Sequence, residues 1–102
     1  MKKPKISFRS IGGSGPLSVT WFPGPLGDAV EAKNGIGVGF FAHNDDLLSV
    51  EFDDVHEKKD HQILEFDDYQ VEVFVENGQV RIQLQDKSQP QKGSVRRLGK
   101  AI

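Results

Sequence analysis

Tyr69-Gln70-Val71-Glu72-Val73-Phe74-Val75-Glu76-Asn77-Gly78-Gln79-Val80-Arg81-Ile82-Gln83-Leu84 is the stretch that decides the fold class. Tyr69, Val71, Val73 and Val75 form one set, interleaved with Gln70, Glu72, Phe74 and Glu76. Beyond Asn77-Gly78, Val80, Ile82 and Leu84 alternate with Gln79, Arg81, Gln83 and Gln85. Period two marks a strand, because successive side chains point to opposite faces. Asn-Gly provides the two positive-φ residues of a type I′ turn, whose twist matches that of the flanking strands. A two-residue loop also sets the register, with Val75 opposite Val80, Val73 opposite Ile82 and Val71 opposite Leu84. Three apolar pairs on one side mean that side is buried.

Working outward, the same period continues upstream. Ile36, Val38, Phe40 and Ala42 alternate with Gly37, Gly39, Phe41 and His43, and Asn44-Asp45-Asp46 reads as a turn. Strands are expected over 47–52 and 62–66, with the charged segment 53–60 between them as a loop. Ile6 to Ser10 and Leu17 to Phe22 read as two more strands, separated by Gly12-Gly13-Ser14-Gly15-Pro16. Asp28 to Lys33, after the breaker Pro23-Gly24-Pro25-Leu26-Gly27, is compatible with one helical turn or with an edge strand ending at Asn34-Gly35. Six to seven short strands with frequent turn signals predict an all-β protein, an antiparallel β-sandwich or partly open barrel. Residues 1–86 form the expected single β domain. Residues 87–102, polar and basic without apolar periodicity, are expected to be a mobile tail, with Val95 and Leu98 its only docking side chains of note.

The length of 102 residues matches one domain and one core. With no cysteine, disulfides, thiolate metal sites and cysteine nucleophiles are excluded. Met1-Lys2-Lys3-Pro4-Lys5 resembles the basic end of a signal peptide, but Arg9 and Ser10 interrupt the stretch that follows before an apolar region forms. The expected location is the cytoplasm. The net charge of −2 conceals a strong asymmetry. Residues 34–80 hold twelve acids against Lys58 and Lys59, a net of −10, while residues 1–33 carry +3 and residues 81–102 carry +5.

Catalytic signals are poor. Gly37-Val38-Gly39-Phe40-Phe41-Ala42 matches the letters of a dinucleotide fingerprint, but that mechanism needs a helix N-terminus at the pyrophosphate. Here the glycines alternate within a strand, where they make room for a crossing strand or a bend. Gly12-Gly13-Ser14-Gly15 fails the nucleophile-elbow pattern because Pro16 occupies the last position. His56 and His61, five apart, share neither a helix face nor a strand face; only a loop would gather them with Glu57 and Asp60 around a metal. No enzyme activity, cofactor or metal is expected. Lys92, Arg96, Arg97 and Lys100 offer phosphate contacts, but the acidic middle and the lack of interleaved aromatics oppose nucleic-acid binding.

The acidic residues carry the functional expectation. Asp45, Asp46, Glu51, Asp53, Asp54, Asp67 and Asp68, with Glu57 nearby, are expected at solvated strand ends and turns, and Glu72 lies on the hairpin. Asp45, Asp46, Glu51, Asp53, Asp54, Asp67, Asp68 and Glu72 are the candidate partner-binding set. Such a patch steers a basic partner, while apolar anchors supply most of the affinity. Trp21, Phe22 and Phe41 are the candidate anchors.

The pattern in residues 35–41, 47–52 and 69–84, with the small size and acidic middle, resembles the small all-β immunity proteins of bacterial contact-dependent and polymorphic toxin systems. The resemblance implies a cytoplasmic chain that binds and neutralises one cognate toxin domain, often a nuclease. It implies a basic protein surface as the partner, although the basic C-terminal stretch departs from a purely acidic inhibitor. The competing expectation is a structural or assembly subunit of a phage or secretion particle.

Overall fold

The computed structural model describes residues 3–24 and 27–87, and among these it is all-β without helix. Eight strands run in chain order: β1 (Lys5–Phe8), β2 (Ser14–Thr20), β3 (Asp28–Glu31), β4 (Gly37–Phe41), β5 (Leu47–His56), β6 (Lys59–Glu65), β7 (Tyr69–Glu76) and β8 (Gln79–Asp86). They form two antiparallel sheets, one ordered β1-β2-β5-β4-β3 and the other β6-β7-β8, with no closed barrel. The count exceeds the expected six to seven because residues 28–31 pair as an edge strand on β4 rather than coiling into a helical turn. The segment expected to be the tail lies, from residue 88 onward, outside the described residues.

The β7–β8 hairpin has the register read from its turn: Val75 faces Val80, Val73 faces Ile82 and Val71 faces Leu84. Asn77 and Gly78 have φ of 53° and 80°, as the type I′ turn requires. Val71, Val73 and Val75 are buried against Leu17, Val19, Val50, Phe52 and Val55 of the larger sheet. Tyr69, Leu64 and Phe66 complete the contribution of the smaller sheet to one continuous core.

Side chains of the smaller sheet pack onto the glycine backbone of β4. A methyl group on Gly37 would stand 2.5 Å from the Glu51 carbonyl oxygen and 2.7 Å from the Leu64 side chain. One on Gly39 would stand 2.9 Å from the Phe66 ring. The two glycines thus leave the space into which β6 presses its Leu64 and the following Phe66.

The segment 53–60, expected as a loop, is strand on both sides of a tight corner at Glu57-Lys58. Two features account for the difference. Pro16 lacks an N–H and sits within β2 at a register shift, where Asp53 and Asp54 together oppose it in a β-bulge. Both acids are therefore exposed in mid-strand between buried Phe52 and Val55. After the corner, the Asp60 carboxylate accepts the N–H groups of His56 (2.9 Å) and His61 (2.7 Å) and the Gln62 amide (3.0 Å). This staple fixes the step of the chain from one sheet to the other. Partial burial pushes the Asp60 carboxyl up, but the donors from His56, Gln62 and His61 outweigh it and hold it below the ordinary 3.8.

Two outcomes are expected. Gly37→Ala should cost about 1–3 kcal/mol in a denaturant melt, because the Glu51 backbone cannot yield to the added methyl group. Asp60→Ala should cost about 1–2 kcal/mol near neutral pH through the lost acceptor. A carboxyl lowered in the folded state stabilises above its unfolded value and loses that contribution as pH falls through its folded value. The gap between Asp60→Ala and the parent should therefore narrow below about pH 4.

Candidate functional site

At one end of the sandwich three chain segments distant in sequence come together. The β4–β5 turn carries Asp45 and Asp46, the β6–β7 turn carries Asp67 and Asp68, and β3 begins at Asp28. Asp28 arrives there because it pairs with Phe41 at the end of β4. Asp28, Asp45, Asp67 and Asp68 line a cavity of about 300 Å³ together with Phe41, Phe66, Val30 and His43. Its floor is aromatic: the Phe41 and Phe66 rings meet edge-on at 5.5 Å, and the Phe41 and Tyr69 rings lie 6.0 Å apart.

The β4–β5 turn is held by its own side chains. Asn44 Oδ1 accepts the Asp46 N–H at 3.1 Å, and the Asn44 amide donates to Asp46 Oδ2 at 3.0 Å. The Asp45 N–H donates to the Ala42 carbonyl and the Ala42 N–H to that of Asp46, both at 2.9 Å. Asp45 itself takes a left-handed conformation with φ of 69°, which Asp tolerates better than most residues. Across the end, Lys33 reaches Asp67 at 3.3 Å, but both side chains are exposed, so the pair neutralises little.

Tyr69 registers the field of this end. Its burial pushes the phenol above 10.0, the carboxylates of Asp86, Asp46 and Asp68 push it further, and a hydrogen bond with the Leu47 backbone opposes them. Asp86, Asp46 and Asp68 therefore act on one hydroxyl, that of the largely buried Tyr69.

Four of the eight candidate residues, Asp45, Asp46, Asp67 and Asp68, gather at this end; the other four do not. Glu51, Asp53 and Asp54 lie along β5, mid-strand rather than at a strand end, with Glu51 between Ser18 and Val38. Glu72 sits on the outer face of the other sheet, where the His61 ring nitrogen contacts its carboxylate. No single surface takes all eight. Asp28 and Asp86 were absent from the candidate set, since only strand pairing carries them to the acidic end. Of the expected anchors, Trp21 is only 3% exposed and belongs to the core. Phe41 is half-buried in the acidic cavity, and Phe22, 48% exposed, is held by its N–H to Leu48 at the same end of β5.

A second concavity, of about 470 Å³, lies on the outer face of the smaller sheet around His61, Phe74 and Arg81. These residues form one cross-strand row over β6, β7 and β8. His61 stacks on Phe74 at 4.5 Å, and the Arg81 guanidinium lies 4.5 Å from the same ring. Because its neighbours come from opposite sides, Phe74 has both faces engaged and offers no free stacking surface for a base. Among the described residues, no group of three or more His, Asp and Glu converges as metal ligands, and no helix is long and apolar enough to cross a membrane.

Compared with known proteins, the chain matches no family model, no curated protein and no solved structure.

Tyr69 is the only tyrosine, so its ionisation can be followed by phenolate absorbance without ambiguity. The titration should lie above pH 10.0, and Asp86→Asn or Asp46→Asn should move it downward by removing a repelling charge. A raised phenol stabilises the fold below the unfolded value and withdraws that contribution as pH rises through the folded one. Alkaline unfolding should accordingly follow the same titration.

Proposed function

We propose that this protein is a non-catalytic binding module that docks a basic protein partner on the acidic end of its sandwich. The observation that carries this reading is the convergence of Asp28, Asp45, Asp67 and Asp68 around the half-buried Phe41. Exposed carboxylates around an apolar floor supply the two components of a steered protein interface. The charges raise the encounter rate and reject acidic surfaces, and the floor with Val30 and Phe22 provides area to desolvate. A toxin domain with a cationic active site is the partner class this arrangement serves best, and this chain would cover that site as an immunity-type inhibitor. The carboxylates then occupy positions that phosphates of a nucleic-acid substrate would take.

The test compares two charge reversals in binding to a toxin domain encoded by the neighbouring gene. Replacing Asp45, Asp67 and Asp68 by Lys should slow association at least tenfold. Replacing Asp53 and Asp54 by Lys, on the β-bulge, should change it little. Association of the parent should fall steeply with salt, because the Debye length drops from ~10 Å at 0.1 M to ~3 Å at 1 M. Dissociation should respond less. If the first variant keeps its circular dichroism and associates as fast as the parent, the acidic end is not the docking surface.

A further inference from the structure

The two edges of the smaller sheet are finished differently. A type I′ turn makes Glu76 and Gln79 a hydrogen-bonded pair, and such pairs then alternate along an antiparallel ladder. On β8, Gln79, Arg81, Gln83 and Gln85 therefore direct their backbone groups to β7. Val80, Ile82 and Leu84 direct theirs away from the sheet. By the same alternation, β6 turns the backbone of Lys59, His61, Ile63 and Glu65 outward, and each of the last three has one backbone group met. The Asp60 carboxylate accepts the His61 N–H, the Asn34 amide donates to the Ile63 carbonyl at 2.7 Å, and the Lys33 N–H donates to that of Glu65 at 2.9 Å. Among the described residues, nothing meets the outward backbone groups of Val80, Ile82 or Leu84.

The edges of the larger sheet differ again. β1 and β3 have four residues each, and β3 carries Asp28 and Glu31 at its two ends. Short and charged edges resist strand addition, whereas β8 is eight residues long with half-buried Val80, Ile82 and Leu84 on its inner side. Of the two long edges among the described residues, it is the one whose outward-facing Val80, Ile82 and Leu84 have no backbone group met.

We propose that β8 pairs antiparallel with β8 of a second copy of this chain, about a two-fold axis at Ile82. This inference is independent of the acidic end. An axis at Ile82 sets Ile82 against its own copy and Val80 against the partner's Leu84, so the inner face stays apolar throughout. On the outer face it sets Arg81 against the partner's Gln83 and Gln79 against the partner's Gln85. No like charges meet. Moving the axis to Arg81 would place two guanidinium groups opposite each other, and moving it to Gln83 would place Val80 against the partner's Asp86. Among these pairings of two copies, side-chain chemistry selects the register about Ile82, and the result is one six-stranded sheet across two molecules. A single strand pairing is at the small end of protein interfaces, so association is concentration-dependent.

Two opposite charges at one exposed position test this with the full chain. In the protomer, Gln83 lies opposite Glu72, so Gln83→Lys is accommodated there; in the dimer the lysine faces the partner's Arg81, twice by symmetry. Dimerisation should weaken roughly two- to thirty-fold in Gln83→Lys and strengthen by a similar factor in Gln83→Glu, measured by sedimentation equilibrium. Circular dichroism and thermal melts control for folding. In the parent, amide exchange at Val80, Ile82 and Leu84 should slow as concentration rises, while Arg81 and Gln83 stay protected throughout. A chain that remains monomeric into the millimolar range overturns the proposal. So does a dimer that both substitutions weaken, which places the axis elsewhere. Protection of the three amides independent of concentration would show instead that the chain covers its own edge, and would overturn it equally.

Discussion

The packing of two side chains, Leu64 and Phe66, onto the glycines of β4 is the contact on which the rest of the molecule depends. Leu64 and Phe66 enter space that exists only because Gly37 and Gly39 have no side chains. That contact places the smaller sheet over the β4 side of the larger one. It brings the β3–β4 loop within reach of β6, so that the Lys33 N–H and the Asn34 amide finish its edge. It also brings the β6–β7 turn beside the β4–β5 turn, where Asp67 and Asp68 join Asp45. With three strands facing five and one side anchored at β4, the opposite edge is left to β8. Phe8 and the Asn77-Gly78 turn bound a common cavity there, which locates β8 toward β1. One steric allowance thus determines both the acidic end and the open edge.

Gathering like charges at one end works against folding, and the structure limits the penalty by solvation. Asp28, Asp45, Asp46, Asp67 and Asp68 are all exposed, so their mutual repulsion acts through water and is screened by salt. Among the described residues, Tyr69 feels the field from a largely buried position, and it does so as a neutral phenol. The rigid Asn44 turn then has a definite use. It holds the Asp46 carboxylate through Asn44 and the Asp45 backbone through Ala42, where an untied loop would let the two residues separate. Arrangements whose order works against their own electrostatics are common where charge is used for binding, because preorganisation lowers the ordering cost on association. Here that cost is met by two side-chain hydrogen bonds and two backbone ones.

The hairpin was legible because alternation, a two-residue turn and three apolar pairs all point to the same register. The glycines of β4 were legible for the same reason: a strand with alternate glycines has to admit something. What escaped is what depends on partners remote in sequence. Asp28 to Glu31 contains too little pattern to show that it pairs with β4, yet that pairing delivers Asp28 to the acidic end. The charge density of residues 53–60 resembles that of a solvated loop. Period two is broken there by a bulge, and the bulge arises from Pro16 on another strand. Of the candidate acids, those in turns converged because turns stack at sandwich ends. Glu51 and Glu72 dispersed, because the outer faces of two opposed sheets point apart.

The acidic end and the β8 edge are compatible because of the direction of the strands. Asp86 closes β8 at the acidic end, and the Lys87 N–H that follows is bonded to the Asp68 carbonyl at 2.7 Å. The Asn77-Gly78 turn lies at the far end of the same strand. Antiparallel pairing about Ile82 sets the acidic end of each copy beside the turn of the other. The two strongly negative surfaces therefore point in opposite directions along the joined sheet. A parallel pairing would bring them side by side, with six carboxylates on each facing their like. The same repulsion that needs solvent exposure within one chain thus favours the antiparallel arrangement between two, and it leaves both acidic ends open to a partner.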